Sequence, residues 1–213
     1  MTAVLGRRKA WPEAGAKCGR RAPARQGFTL IELMVVLALL AAMLTLAAPN
    51  FITFQRNSQL TSSANSFVAA LAAARAEAMK RQLRAFVVPS DGSNWQNGWI
   101  VFVDANSNAT SGSVSFESGT DIEVARYGAL PGNVVQVLSV NATGFKDGSI
   151  YYAMFNGSGF MTLVGGSFPS GGANALDFYN GTETRRIIAN TTGRMRVCKP
   201  PPADASCVMA ETF

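Results

Sequence analysis

The stretch GFTLIELMVVLALLAAMLTLAAP at residues 27–49 decides how this chain is organised. No charged residue occurs between Leu33 and Gln55, and a helix of about 20 apolar residues spans the ~30 Å hydrocarbon core of a bilayer. We therefore predict a membrane-spanning helix over residues 28–50. Glu32 lies at the start of this apolar run, where a carboxylate is costly unless it is paired. It is therefore expected to have a functional role.

Charge is distributed unevenly along the chain. Residues 1–26 hold seven of the 19 basic side chains and only one of the 13 acidic ones, so the net charge of +6 belongs to this segment. The remaining residues have balanced charge, so the positive net charge of the whole chain does not indicate that this part binds nucleic acid. Basic residues before the apolar run, and few soon after it, predict a cytoplasmic N-terminus and a head on the other side of the membrane.

The run Gly27–Leu33, GFTLIEL, resembles the type III signal of type IV pilins and type II secretion pseudopilins. The resemblance implies that a prepilin peptidase cuts between Gly27 and Phe28, removes the leader peptide 1–27, and leaves Phe28 to be N-methylated. No small-x-small cleavage site for a secretory signal ends the apolar run. A signal anchor with an unrelated glutamate is the alternative interpretation, and an internal start codon would shorten the long leader.

The same resemblance implies how the subunit assembles. Glu32 would pair with the N-terminal amine of a neighbouring subunit, and Pro49 would bend the helix. The implied partners are other pilins or pseudopilins in a helical filament, the prepilin peptidase, and an inner-membrane assembly platform. The implied location is the bacterial inner membrane, with a periplasmic head, and then the pilus or pseudopilus.

Apolar periodicity predicts that the helix continues beyond the membrane segment, to about Leu83. Over 51–84 the pattern is amphipathic, with apolar residues at steps of four and three on one face: Leu60, Ala64, Phe67, Leu71, Ala74 and Ala78. The opposite face is charged, with Arg56, Arg75, Glu77, Lys80, Arg81 and Arg84.

Residues 85–213 predict a β-rich head. Short apolar runs alternate there with Gly, Asn and Ser turns, at Phe86–Pro89, Trp99–Asp104, Ile122–Tyr127, Val134–Val140, Ser149–Phe155, Gly159–Val164, Ala175–Tyr179, Arg185–Asn190 and Arg194–Cys198. The stretches 104–120 and 165–174 are predicted to be exposed loops. The predicted fold class is α+β, with a long N-terminal helix packed on an antiparallel β-sheet head.

Two motifs in the head resemble one group of pilin-like proteins. The run Trp95–Asp104, WQNGWIVFVD, resembles the W-x-x-G-W-x-V-F-x-D signature of GspH/FimT minor pilins and pseudopilins, and Thr192–Cys198 resembles their closing G-R-x-R-V segment. The resemblance implies a pilin-like fold over about 28–198. We predict that Trp95 and Trp99 fill the core between helix and sheet, and a ligand-binding role is the alternative.

Three cysteines occur in the chain. Cys18 lies in the basic leader, whereas Cys198 and Cys207 are spaced for a small disulfide loop in an oxidising compartment. Two unrelated free thiols are the alternative.

Five basic residues lie close together near the end of the chain: Arg185, Arg186, Arg194, Arg196 and Lys199. A hairpin turning at residues 190–193 would place Arg194 and Arg196 on one face, which could collect phosphates without reading sequence. Some FimT-type minor pilins bind DNA through this region. By this resemblance Arg194 and Arg196 are candidate DNA contacts, with the other three as support. A solvated strand face or a contact with an acidic neighbouring subunit is the alternative.

The remaining groups of polar residues in the sequence do not predict catalysis or metal binding. The chain has no histidine, which removes the commonest general base and metal ligand. The run beginning at Asp104 carries the first oxygen ligands of a calcium loop but lacks its sixth-position glycine and twelfth-position glutamate, so a polar turn is predicted. Gly157-Ser158-Gly159 lacks the flanking pattern of a nucleophile elbow. We predict no enzyme activity, no cofactor and no metal.

The sequence therefore predicts a minor pilin of a type IV pilus, similar to FimT and FimU proteins, in the filament or its priming and tip complex. An H-type pseudopilin of the type II secretion system is the first alternative. A DNA-binding receptor for natural transformation is an alternative of another class.

Overall fold

The computed structural model describes residues 27–132, 135–140, 144–170 and 173–207, without the side chains of 45–50, 138–140 and 173. The predicted leader therefore lies outside the described residues, except for Gly27. The chain divides into two compact units between Thr45 and Leu46. Helix α1, Leu30–Arg81, begins in the first unit and continues in the second.

The first unit contains the start of α1. The Thr29 hydroxyl oxygen accepts a hydrogen bond of 3.2 Å from the backbone N–H of Glu32, which caps the helix and satisfies one of its first amide groups. All side chains from Phe28 to Leu44 are exposed. Among the described residues, no helix combines the length and the apolar character required to cross a membrane.

In the second unit, α1 buries the apolar face that the periodicity predicts. Leu60, Ala64, Phe67, Leu71 and Ala74 are fully buried, as is Ala78 further along the helix. This face lies against side chains from both sheets of the head in one hydrophobic core. The helix ends at Arg81, two residues before the predicted end, because Gln82 takes a positive φ of 56°.

The head contains two antiparallel sheets of four strands among the described residues. Its strands are β1 Ala85–Pro89, β2 Trp99–Val103, β3 Ile122–Tyr127, β4 Gln136–Val140, β5 Ala153–Phe155, β6 Ala173–Tyr179, β7 Thr184–Asn190 and β8 Met195–Cys198. The first sheet has the order β3-β2-β1-β5 and the second β4-β6-β7-β8. The predicted α+β fold, with a long helix and an antiparallel head, is confirmed.

The first sheet is covered on both faces, which explains why β1 and β2 are continuously apolar. Val87 and Val101 face the core beside α1, while Phe86 and Phe102 belong to a second, smaller cluster on the outer face. Residue Phe116, in the loop that precedes β3, packs against this outer cluster. The predicted loop over 104–120 therefore acts as a cover for the sheet.

The predicted strand over Gly159–Val164 is wrong. Met161 forms only an isolated antiparallel bridge with Phe155. The preceding residues make a turn, in which Asn156 N–H donates to the Phe160 carbonyl at 3.0 Å and Gly159 adopts a φ of 81°. The chain reverses at this glycine. After the turn, only the Met161 bridge and a bond of 3.1 Å from Thr162 N–H to the Met154 carbonyl join the run to β5, so no continuous strand forms.

Smaller differences concern the ends of strands. The predicted strand Ser149–Phe155 is reduced to β5, while β6 begins at Ala173, two residues before its predicted start. Val134, the predicted start of β4, lies outside the described residues.

Candidate functional site

The segment that carries the predicted cleavage and assembly residues lies at the start of α1. Gly27 and Phe28 precede the helix in irregular backbone, and 85% of the Phe28 surface is exposed. Irregular, exposed backbone is the form that proteases cut. Glu32 lies in the first turn of the helix, where its negative charge is favoured by the helix dipole. Cleavage, methylation and amine pairing stay predictions, as does the bend at Pro49.

The tryptophans of the W-x-x-G-W segment belong to the core. Trp95 and Trp99 are only 2% and 1% exposed, and each meets the Phe67 ring edge-on, at centroid distances of 5.2 and 5.0 Å. Gly98 between them has a φ of 90°, and a side chain there would overlap the Tyr127 carbonyl. The predicted core role is confirmed, because both rings stabilise the contact between α1 and the first sheet.

Asp91 organises the turn that leads into this segment. Its carboxylate accepts hydrogen bonds from the backbone N–H groups of Ser93 at 2.9 Å and Asn94 at 2.8 Å, and from the Asn97 amide at 2.6 Å. These donors favour the charged form, the Ser93 N–H most strongly, and lower the pKa of Asp91 to about 2. The sequence interpretation missed this residue, although an Asp two residues before an Asn or Ser turn position is a recognisable signal.

Strands β7 and β8 form the hairpin predicted around residues 190–193. Ile188 lies opposite Arg196, and Arg186 lies opposite Cys198. Paired residues of an antiparallel ladder share a face, so Arg186 and Arg196 project from the outer face. Asn190 N–H donates to the Arg194 carbonyl at 3.0 Å, which extends the pairing to Arg194. Arg194 lies one residue before β8, so its sharing a face with Arg196 stays a prediction.

Carboxylates of the head pair with Arg185, Arg186 and Lys199. Arg186 makes a bidentate pair with Asp177, with both bonds at 2.8 Å, and this acceptor raises the pKa of Arg186. Arg185 and Lys199 share Glu183, at 3.1 and 3.0 Å. These two donors, Lys199 first, lower the pKa of Glu183. Side chains alternate between the two faces along β7, and Arg185 lies on the inward-facing side. The structure therefore does not place all five cations on one face.

The segment after β8 folds back on the outer face of the second sheet. Cys198 and Cys207 form the predicted disulfide, with Cα atoms 5.7 Å apart. Cys207 is fully buried against Ile188. Arg196 donates from Nη2 to the Ser206 carbonyl at 2.6 Å, so this candidate contact also holds the closing loop.

The oxygen-rich run at Asp104 is a polar turn, as predicted. The Asp104 carboxylate is almost fully buried, pairs with Arg84 at 2.6 Å, and accepts the backbone N–H of Asn108 at 3.2 Å. These contacts engage both carboxylate oxygens of Asp104. Within the described ranges, no group of three or more acidic, Cys or His side chains is arranged to hold a metal.

Arg75 is the main residue that the sequence interpretation misplaced. It was expected on the solvated face of α1, but its guanidinium binds the carbonyl oxygens of Gly159 at 2.9 Å, Gly193 at 3.0 Å and Thr192 at 3.1 Å. Arg75 therefore joins α1 to the turn that begins the G-R-x-R segment. Arg75 lies beside Ala74 and Ala78, at the edge of the buried face of α1. This position is the sequence signal from which its contact with the head could have been predicted.

Helix α1 is capped at its start and carries Glu32 in its first turn. Its later residues pack on an antiparallel head. This combination defines a pilin-like protein. Residues 63–205 match the family described as type II transport protein GspH, and residues 23–48 match the prokaryotic N-terminal methylation motif. The chain belongs to the GspH family.

Solved structures with a similar fold include the type IV minor pilin FimU of Pseudomonas aeruginosa PAO1. That likeness has 14% identity over 71% of this chain and 95% of that chain, with a TM-score of 0.49. The minor pseudopilin EpsH from the type 2 secretion system of Vibrio cholerae has 14% identity over 67% of this chain and 98% of that chain, with a TM-score of 0.44. No curated protein sequence gives a significant match.

Proposed function

We propose that this chain is a minor pilin of a type IV pilus with a structural rather than an enzymatic role. It is cut after Gly27 by a prepilin peptidase, N-methylated on Phe28, and held in the inner membrane through residues 28–50 with a periplasmic head. An assembly platform then inserts it into the filament or its priming and tip complex, beside other pilins. The observation that carries this proposal is the methylation motif at 23–48 in the same chain as the GspH match at 63–205.

Glu32 supplies the chemistry of assembly in this proposal. A carboxylate in an apolar segment is costly unless it meets a cation. Cleavage after Gly27 creates such a cation, because the new amine of Phe28 has an ordinary pKa near 8 and is largely protonated at neutral pH. The Thr29 cap holds the backbone N–H of Glu32 and keeps this residue in the first turn of α1.

Processing at Gly27 is the direct test. In cells with active prepilin peptidase, Gly27→Ala is expected to leave a precursor that runs above the mature band on a gel, because a side chain is introduced at the cut. Gly112→Ala is the matched control, since this glycine lies in a head turn with no atom within 4 Å of an added Cβ. Normal processing of the Gly27→Ala chain would show that the cleavage assignment is wrong.

The second candidate is an H-type pseudopilin of the type II secretion system, which the description of the matching family favours. A deletion strain separates the two candidates. Loss of surface pili, with unchanged export of type II secretion substrates, supports the minor pilin. Loss of export with normal pili supports the pseudopilin.

DNA binding through Arg194 and Arg196, with Arg185, Arg186 and Lys199 as support, stays a prediction for this chain. The position of Arg196 on the outer face, with Arg194 expected beside it, favours DNA binding, whereas the carboxylates of Asp177 and Glu183 lower the positive charge available to phosphates. A gel shift of the full chain in detergent with duplex DNA tests it. DNA affinity that is unchanged in the double variant Arg194→Ala with Arg196→Ala would exclude this site. DNA affinity that does not fall as the salt concentration rises would also exclude it.

A further inference from the structure

Exposed apolar side chains continue along α1 beyond the segment proposed to cross the membrane. Phe51, Ile52 and Phe54 are 65%, 49% and 69% exposed. An α-helix turns by about 100° per residue, so these three side chains project to different sides of α1. A protein surface covers one side of a helix, whereas lipid surrounds it. The arrangement therefore fits a lipid environment.

Arg56 is the only charged residue between Leu33 and Ala74. It is exposed, and within the described ranges it takes part in none of the ion pairs. Apolar side chains followed by a cation are typical of the membrane–water interface, where the rings lie at the boundary of the acyl chains and the cation reaches the lipid phosphates. Residues 51–56 therefore have the composition of an interfacial segment with one positive charge.

The height of these residues along α1 agrees with this interpretation. Because the helix rises about 1.5 Å per residue, Phe54 lies ~6 Å and Arg56 ~9 Å beyond Asn50. The headgroup layer extends about 5–8 Å beyond the hydrocarbon core on each side of a bilayer. With the membrane segment ending at residue 50, Phe54 lies within this layer. Arg56 lies at its outer edge, from which a long side chain reaches back to the phosphates.

An open groove of about 740 Å³ begins beside Phe54 and continues along α1. Its lining on the helix is polar but uncharged. The Asn57 side-chain oxygen accepts a hydrogen bond of 2.8 Å from the β6–β7 turn, and the Thr61 hydroxyl donates to the Asn57 carbonyl at 2.9 Å. Among the described residues, Ser58 and Ser62 have no such partner, so their hydroxyl groups are available to the hydroxyl and ester oxygens of a lipid headgroup.

We propose that residues 51–56 bind anionic phospholipids of the leaflet next to the head, with a lipid phosphate on the Arg56 guanidinium. The rings of Phe51 and Phe54 pack against the glycerol and the upper acyl carbons. A second headgroup occupies the groove, because Arg56 and Ser58 face different sides of α1. Arg56 selects anionic lipid, since the ammonium of a zwitterionic headgroup offsets the attraction of its phosphate. The proposal rests on the membrane segment 28–50 proposed above, and it adds a lipid class and the residues that recognise it.

Photo-cross-linking of the full chain in lipid nanodiscs tests this contact. Benzoylphenylalanine replaces Phe54, the nanodiscs contain equal amounts of phosphatidylglycerol and phosphatidylcholine, and mass spectrometry identifies the lipid joined to the peptide. The probe captures only molecules within reach of residue 54, so the cations of residues 1–26 do not contribute. Phosphatidylglycerol is expected about five times as often as phosphatidylcholine, which is the effect of one cation at an anionic surface. This preference is expected to shrink as salt screens the charge.

Removal of one charge at two positions of α1 sharpens this test. Arg56→Gln is expected to make the capture of the two lipids about equal. Arg81→Gln removes a cation from the same helix ~38 Å beyond Arg56 and is expected to keep the fivefold preference. Equal capture by the chain that retains Arg56, a preference that survives Arg56→Gln, or cross-links to a second chain in place of lipid would overturn the proposal. A chain that does not enter the nanodisc would overturn the membrane segment as well.

Discussion

The Arg75 guanidinium donates a hydrogen bond of 3.0 Å from Nη1 to the carbonyl oxygen of Gly193, 118 residues further along the chain. Its other two bonds reach Gly159 and Thr192, so one helix side chain holds two separate turns. The glycine of the closing G-R-x-R segment is therefore a docking point between α1 and the second sheet.

Arg75→Ala is expected to lower the free energy of unfolding by about 2–4 kcal/mol, since three charge-assisted bonds to backbone carbonyls are lost, two of them partly buried. Urea unfolding of the full chain in detergent, followed by tryptophan fluorescence, measures the change. Arg81→Ala is the matched control, because its pair with Glu77 is exposed and solvent-screened, so its loss is expected to change the stability little. Equal effects of the two substitutions would contradict the role given to Arg75.

Gly193→Ala is expected to be strongly destabilising. The residue has a φ of 79°, and an added Cβ would lie 2.5 Å from the Gly159 carbonyl oxygen and 2.6 Å from Arg75 Nε. Gly181→Ala is the control for backbone strain alone, because Gly181 has a φ of 95° but no atom within 4 Å of an added Cβ. The control is expected to cost about 1 kcal/mol and Gly193→Ala at least about 2 kcal/mol more, in thermal or urea unfolding. Similar losses would show that the close approach is not limiting.

Asp91 is expected to make part of the stability depend on pH. Its pKa is lowered from 3.8 to about 2 in the folded chain, so its contribution is present above about pH 4 and is lost as the pH falls through 2. Asp91→Asn removes this contribution. The difference in unfolding free energy between the wild type and this variant is expected to be largest near neutral pH and to shrink toward pH 2. A difference that stays constant over this range would contradict the assignment.

Reduction of the Cys198–Cys207 disulfide is expected to lower the free energy of unfolding by about 2–3 kcal/mol, because the bond closes a short loop and restricts the unfolded chain. Unfolding of the full chain with and without a thiol reductant measures the change. The double variant Cys198→Ala with Cys207→Ala is the control, and its stability is expected not to respond to the reductant. A wild-type chain that is equally stable under both conditions would contradict the prediction.

Glu32→Ala is expected to leave processing at Gly27 largely intact but to reduce recovery in sheared filaments at least about tenfold, since the buried amine of a neighbour loses its counter-charge. Glu32→Gln keeps the size of the side chain and is expected to fail in the same way, which separates charge from packing. Immunoblots of the membrane and sheared fractions give the ratio. Normal recovery of either variant would count against the pairing.

The hydrophobic pattern predicted the buried face of α1 correctly, but it did not predict that a residue of the charged face binds the head. Leu60, Phe67 and Leu71 were found because a buried helix face repeats every 3.6 residues. The same repeat placed Arg75 on the exposed face of the helix. Periodicity describes a single helix and does not show which turns of the head contact its edge. In the same way, Gly159–Val164 has the composition of a strand, but only Met161 and Thr162 bond to β5, so no continuous ladder forms.

Signals carried by neighbouring residues were enough to predict the glycine and glutamate motif, the extent of α1, the β7–β8 hairpin and the closing disulfide. Periodicity, capping and spacing act over a few residues, so the sequence alone determined these features. Only the tertiary structure decided that Arg75 binds Gly193 and that Arg186 is bound by Asp177. These relationships join distant segments, and they exist because both sheets pack on one helix, which no local pattern encodes.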